Sequence, residues 1–356
     1  MKVVVSFLLF VNFWDEERYI MEAFLMQIFS NLPTIAVVLV GVISLFSLGK
    51  GADLLVDHAV SVSRHFNIPK AIVGATIVSL GTTLPEASVS VLAAVQGVPD
   101  LALGNAIGSV IVDTGLIIGI ASQIAPLPID INAIRFQSWT QFAVGILIVI
   151  FSLPFWHPGG IGNISQWMGI ILIILLVAYL YRSMKQSTSS TYETEEITPS
   201  THVSLDFLLI IIGIAIVIIA SKVLIPSVEV LAIRAGIPES IIAATLVAFG
   251  TSLPELTTAI KSVTKGHSDL ALGNIMGADI LNILFVIGAA AAVTKEGLAV
   301  PSNFYSIQLP FLMIILVLFR IFTLNSGEQI SRMEGMVLLV CYLIYLAFNY
   351  GPALLI

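Results

Sequence analysis

Ten apolar runs dominate the chain, at roughly 34–56, 69–95, 102–125, 139–155, 164–183, 204–232, 239–264, 269–293, 305–324 and 334–352. A helix needs about twenty residues to cross a hydrocarbon core of about 30 Å, and in lipid every backbone polar group must find its partner within the protein. The runs show little alternation, which argues against a barrel, whose strands would be about ten residues of alternating polarity. Only 10% of the 356 residues are charged, where a soluble domain carries roughly 25%. The expected fold class is therefore an all-α membrane protein with ten transmembrane helices.

Charge placement sets an expected orientation. The loops after runs 1, 3, 5, 7 and 9, with adjoining helix ends, carry Arg64, Lys70, Arg135, Arg182, Lys185, Lys261, Lys265, Arg320 and Arg332, against Arg234 and Lys295 on the opposite side. By the positive-inside rule the first set faces the cytoplasm, so a multi-pass protein of the cell membrane is expected with both ends of the ten-helix body outside. Scattered Lys and Arg give no basic face for nucleic acid. Cys341 has no partner for a disulfide or a thiolate metal site. Residues 1–30 hold an apolar run too short to span and are left unassigned as a leader or interfacial segment.

The polar stretch 186–203, "QSTSSTYETEEITPSTHV", reads as a linker between halves 31–185 and 204–356. Residues 70–113 and 239–282 align at a constant offset of 169 with 18 identities in 44 positions and no gap. Each half holds five runs, an odd number, so the second enters the membrane from the opposite side and the repeats are inverted. Inverted repeats with Pro- and Gly-broken helices at matching positions point to a transporter with a midplane site.

"GTTLPEAS" at 81–88 and "GTSLPELT" at 250–257 are those broken positions. Pro85 and Pro254 have no N–H, which frees the carbonyls of Gly81 and Gly250 beside Glu86 and Glu255. Thr82 and Ser79 share a face with Glu86, and Thr251 shares one with Glu255. On the next helices Asn105, Ser109 and Asp113 follow at i, i+4 and i+8, answered by Asn274 and Asn282. Gly104, Gly108, Gly273 and Gly277 allow close backbone approach. All these donors are oxygen, with no His or Cys among them, which favours hard cations such as Ca²⁺ or Na⁺ over zinc or copper. Ionised acids at this depth are expensive unless neutralised by cations. Asp100 and Asp269 are expected as helix N-caps. Lys50, Asp53 and Asp57 are expected to form a local charge cluster on the first helix. An acid–base hydrolase would not need the hydroxyl clusters, and a passive channel would not need a multi-carboxylate cage.

The paired "GTTLPEAS…DLALGNAIGS" and "GTSLPELTT…DLALGNIMGA" resemble the two α-repeats of the cation/Ca²⁺ exchanger superfamily, specifically its prokaryotic sodium/calcium exchanger branch. The cation/proton branch usually has acids where this chain has Gly108 and Gly277. The resemblance implies a ten-helix antiporter, not an enzyme, exchanging Ca²⁺ for Na⁺ without an organic cofactor or obligatory protein partner; exchange of Ca²⁺ or another divalent cation for H⁺ is the alternative. It implies that Glu86 and Glu255 hold Ca²⁺ with Thr82 and Thr251. Flanking Na⁺ sites would use Ser79, Thr83, Ser109, Ser252 and the carbonyl of Ala248, and the first helix of each half would slide against the rest. Three departures from the family pattern involve four positions. Asp113 and Asn282 have exchanged places between repeats, Ala278 replaces a serine, and Asp279 stands where asparagine is common, either reaching the site or facing a neighbouring helix.

Overall fold

A computed structural model of the chain describes residues 24–154, 162–187, 203–235, 250–325 and 329–354. In order, the helices are α1 (Thr34–His65), α2 (Lys70–Thr82), α3 (Leu84–Val95), α4 (Pro99–Ile124), α5 (Ile131–Ser152) and α6 (Gln166–Ser187). Then come α7 (Val203–Arg234), α8 (Leu253–Thr264), α9 (Ser268–Val293), α10 (Phe304–Leu324) and α11 (Arg332–Leu354). Eight of these are long and apolar enough to cross a membrane, and α2 with α3 makes a ninth crossing bent by 47°. Of the tenth expected run, 239–264, only the part from Gly250 lies among the described residues. The leader is described only from Phe24, where a short helix buries Phe29 against Val37 and Val230.

Proline and glycine set the breaks. Pro85 and Pro254 occupy the second positions of α3 and α8, where a missing N–H removes no helical bond within the new segment. Gly97 and Gly266, at equivalent places in the turns that follow, have φ of +76°, a conformation that disfavours any Cβ. The N-caps differ from expectation: Asp100 and Asp269 are second residues of α4 and α9, behind Val98 and His267. There each carboxylate complements the helix dipole instead of closing the cap.

The two halves are joined by reciprocal contacts. Two short antiparallel pairs link them: β1 (Leu127–Pro128) with β4 (Gln329–Ile330), and β2 (Asn163–Ile164) with β3 (Leu298–Ala299). Gly119 of α4 lies so close to α11 that a Cβ would stand 2.9 Å from Leu339 Cβ, while one on Gly169 of α6 would stand 2.8 Å from the Gly288 carbonyl oxygen of α9. Each half thus lends its last helix to the central helix of the other. The α2–α9 seam is as close, since a Cβ on Gly273 would meet the Ala71 carbonyl oxygen at 2.0 Å and one on Gly277 would meet Ala75 Cα at 2.5 Å. The stretch that the repeat would set opposite Gly104 and Gly108 falls within 236–249, outside the described residues.

Candidate ion-binding chamber

Wide π-helical turns interrupt α4 at Val112–Ile117 and α9 at Asn282–Ile287, so Asp113 and Asn282 both sit where the helix swells. Such turns detach backbone groups from the regular ladder and concentrate at functional sites. A third, Gly74–Val78 in α2, leaves the Ala75 carbonyl to accept a 3.1 Å hydrogen bond from the Tyr179 hydroxyl of α6.

Around these turns the interior is acidic and dry. Glu86, Asp113, Glu255 and Asp279 are each at most 1% exposed. Glu255 is central: the hydroxyls of Thr82 and Thr83 from the first half lie beside it, and it stands close enough to Asp113 and Asp279 for mutual repulsion. Ser252 lies beside Asp113. These neighbours stop short of hydrogen-bonding geometry, for both carboxyl oxygens of Glu255 and of Asp113 are buried with no partner among the described residues. The same holds for Thr83 Oγ1, Ser252 Oγ, Thr258 Oγ1, Asp279 Oδ1 and Asn282 Oδ1. Buried polar atoms are ordinarily satisfied, so a cluster of oxygens left without partners among the described residues marks a candidate place for a bound cation. Oxygens of this kind suit Na⁺ or Ca²⁺. Among the described residues no three acids converge on one point as a ready cage, so hydroxyl, amide and carbonyl oxygens must share in holding a cation.

Asn105 ties the two broken helices together. Its amide donates to the Glu86 carbonyl at 3.2 Å and to Ser90 at 3.0 Å, while its oxygen accepts from Thr251 of the other half at 3.2 Å. Ser79 and Thr82 donate to carbonyls of their own helix, Ser79 to Thr76 and Thr82 to Val78 and Ser79, and a Cβ on Gly277 would stand 2.6 Å from Ser79 Oγ. Ser109 is buried on α4, a turn before Asp113. Ala248 falls outside the described residues.

Asp279 faces neighbouring helices. Its Oδ2 accepts from Gln141 of α5 at 2.5 Å and from the Thr114 hydroxyl of α4, while its charge faces Glu255. Gln141 and Thr114 escaped the sequence reading. A glutamine within an apolar run was all that the sequence offered, and only the fold shows that it is buried, 2% exposed. The expected local cluster on the first helix is also different in kind: Lys265 of the second half meets Asp57 at 2.8 Å and Asp53 at 3.2 Å, and Lys261 meets Asp53 at 3.4 Å. These pairs bridge α1 to the end of α8. Burial alone would lower the Lys265 ammonium pKa, but hydrogen bonds and charge from Asp57 and Asp53 outweigh it and hold it above its usual value. Lys50 instead lies over the Phe46 ring.

Known proteins are similar to this chain. The family profile described as sodium/calcium exchanger protein matches residues 36–185 and 205–351. A Methanocaldococcus jannaschii protein described as uncharacterized membrane protein MJ0091 is 32% identical over 83% of this chain and 92% of its own. The sodium/calcium exchanger MaX1 of Methanosarcina acetivorans is 25% identical over 86% of this chain and 97% of its own. The solved structure of the sodium-calcium exchanger NCX_Mj, from crystals soaked with Na⁺ and Sr²⁺, superposes with a TM-score of 0.75 at 28% identity, covering 88% of this chain and 99% of that one.

Proposed function

Because the chain belongs to the sodium/calcium exchanger protein family, we propose that it is a secondary active antiporter, exchanging Ca²⁺ for Na⁺ across the cell membrane by alternating access. The observation that carries the reading is the set of orphaned oxygens around Glu255, where acids from both halves meet hydroxyls of Thr82, Thr83 and Ser252. Glu86, Glu255, Asp113 and Asp279 together bring four carboxylates into a water-poor interior, and ionised acids there persist only with counter-charge. One Ca²⁺ or several Na⁺ supply it in alternation. The chamber emptied of both leaves uncompensated charge, which disfavours reorientation without cargo and so enforces exchange.

In this reading Glu86, Glu255, Thr82 and Thr251 hold Ca²⁺. Ser79, Thr83, Ser109, Ser252 and the Ala248 carbonyl serve Na⁺, with Asp113, Asn282 and Asp279 completing the oxygen set. The two halves, 31–185 and 204–356, act as inverted five-helix repeats, with the loops after the odd-numbered runs in the cytoplasm. The reciprocal α4–α11 and α9–α6 contacts support that symmetry. Exchange of Ca²⁺ against H⁺ is the rival, favoured by the surplus acid at Asp279. Radioactive Ca²⁺ uptake into proteoliposomes under an imposed Na⁺ gradient, compared with a pH gradient, decides between them. Uptake that follows the pH gradient and ignores Na⁺ ends the Na⁺ reading.

A further inference from the structure

Arg320, about one turn before the end of α10, is a cation that the ion chamber does not use, and it is only 7% exposed. Its Nη1 donates to Ser138 of α5 at 2.6 Å, and its guanidinium carbon stands 4.0 Å from the centre of the Trp139 ring. Nε and Nη2 are buried with no partner among the described residues. Among the described residues the ion pairs join His58, Lys261 and Lys265 to Asp206, Asp53 and Asp57, and none reaches Arg320. Exposed Arg135, one turn before Trp139 on α5, is near enough to add its repulsion. Across α5, exposed Arg182 of α6 lies over the Phe136 ring at 5.1 Å.

Two features say what this cation is for. Nε–H and Nη2–H form the parallel edge of the guanidinium, the edge that takes phosphate or carboxylate in a bidentate grip. A buried guanidinium that keeps this edge unmatched beside a second arginine carries a desolvation cost with no return. Depth supplies the rest. Arg320 lies near one end of its span, and Trp139, 51% exposed on the outer surface within two turns or so of the start of α5, occupies the level where aromatic side chains meet headgroups. Basic clefts between membrane helices at that level bind anionic lipid headgroups. We propose that the open edge of Arg320, together with Arg135, is a binding site for the headgroup phosphate of an anionic phospholipid, with the Trp139 indole as its lipid-side wall.

The test uses the full chain in nanodiscs of phosphatidylcholine, with or without phosphatidylglycerol, counting retained lipid by native mass spectrometry and following thermal unfolding. Phosphatidylglycerol should be enriched on the wild type roughly tenfold over its share of the disc, equivalent to about 1.4 kcal/mol. Arg320→Gln and Arg135→Gln should each return it toward the bulk share. Arg135 is exposed, so its variant is expected to fold normally and keeps the test valid should Arg320→Gln fail. Equal enrichment in wild type and both variants overturns the proposal. So does the absence of enrichment on the wild type. Inorganic phosphate that stabilises the protein in phosphatidylcholine discs as well as phosphatidylglycerol does would assign the edge to a small anion and overturn the lipid.

Discussion

Helices α4 and α9 are no more apolar than helices α1 and α7, yet 83% and 89% of the first pair's most apolar stretches are buried against 33% for each of the second. Apolar content therefore does not decide which helices lie inside a membrane protein, because lipid is as apolar as leucine. Small and polar residues decide it. α4 and α9 carry Gly119, Asn105, Asp113, Gly273, Asn274, Gly277 and Asp279, which only protein can accommodate. α1 instead turns Ile35, Val42, Ile43 and Phe46 outward, each more than half exposed. The inner pair is fixed by close backbone contact and holds the acids. The outer pair packs on itself, a Cβ on Gly213 of α7 standing 2.9 Å from Leu55 N of α1, and α1 is bridged to the chamber helix α8 by ion pairs in its C-terminal half. That is the construction expected of a fixed core and a sliding sheath.

The largest effect should come from the core acids. Glu255→Gln is expected to abolish exchange, lowering Ca²⁺ affinity on the order of a hundredfold, near 3 kcal/mol, and Glu86→Gln should act similarly. Stability should move the other way: in ion-free buffer Glu255→Gln should raise the melting temperature, since it removes a buried charge that has no hydrogen-bond partner among the described residues. Isothermal titration with Ca²⁺ and thermal unfolding of one sample read both. A variant that loses Ca²⁺ binding only because it unfolds would break the division between a rigid core and its cargo.

Next in size is the seam itself. Gly277→Val drives a side chain into Ala75 and Ser79 and should destabilise by about 1–3 kcal/mol, as overpacking does. Ile43→Ala on the sheath, where the side chain is 63% exposed, should stay within about 0.5 kcal/mol. Thermal unfolding of the pair in matched nanodiscs gives the contrast directly, and equal losses would mean that α1 is held as firmly as α9.

Much of the core was legible in the sequence because its determinants are local. A proline one residue before a glutamate, repeated at a fixed offset, marks both broken helices and both acids, and Gly273 and Gly277 mark the α2–α9 seam. The partners of Asp279 were not legible. Gln141 lies 138 residues away, and no local pattern distinguishes a glutamine aimed inward from one facing lipid. The charge cluster at Asp53 and Asp57 misled for the same reason: Lys50 is nearest along the chain, but the fold brings Lys261 and Lys265. Asp100 and Asp269 misled by one step, since Val98 and His267 take the cap positions and leave the acids in the first turn. The swelling of α4 and α9 at Asp113 and Asn282 follows from tertiary packing, and no residue type announces it.

The ion pairs between α1 and α8 should show a smaller effect, confined to access. Pairs as exposed as these are worth about 0–1 kcal/mol, so Asp53→Asn or Lys265→Gln should shift the access equilibrium by up to roughly fivefold. Ser262 is buried on α8 next to Lys261 and reports the shift. With Cys341 replaced by alanine, Ser262→Cys should react faster with a membrane-impermeant thiol reagent when Asp53→Asn is added. An unchanged rate would mean that the pairs do not hold the sheath closed.

The smallest effect belongs to the rim of the core. Lys70 at the start of α2 lies 3.4 Å from His267 Nδ1 at the start of α9, and burial, then the Lys70 charge, holds the imidazole below its usual pKa. Folding therefore favours neutral His267: its contribution is complete above the unfolded value of about 6.5 and is lost as pH falls through the lowered folded one. Acidification should lower the melting temperature slightly, and His267→Gln should flatten that slope. Labelling of Ser262→Cys should not follow the same curve, because the side-chain partner of His267 is Lys70 of the core helix α2, and the charges of Arg64 and Asp57 on α1, which also reach the imidazole, act on it in opposite directions. A pH dependence shared by stability and labelling would instead show that core and sheath move as one body, which would remove the sliding element that alternating access requires.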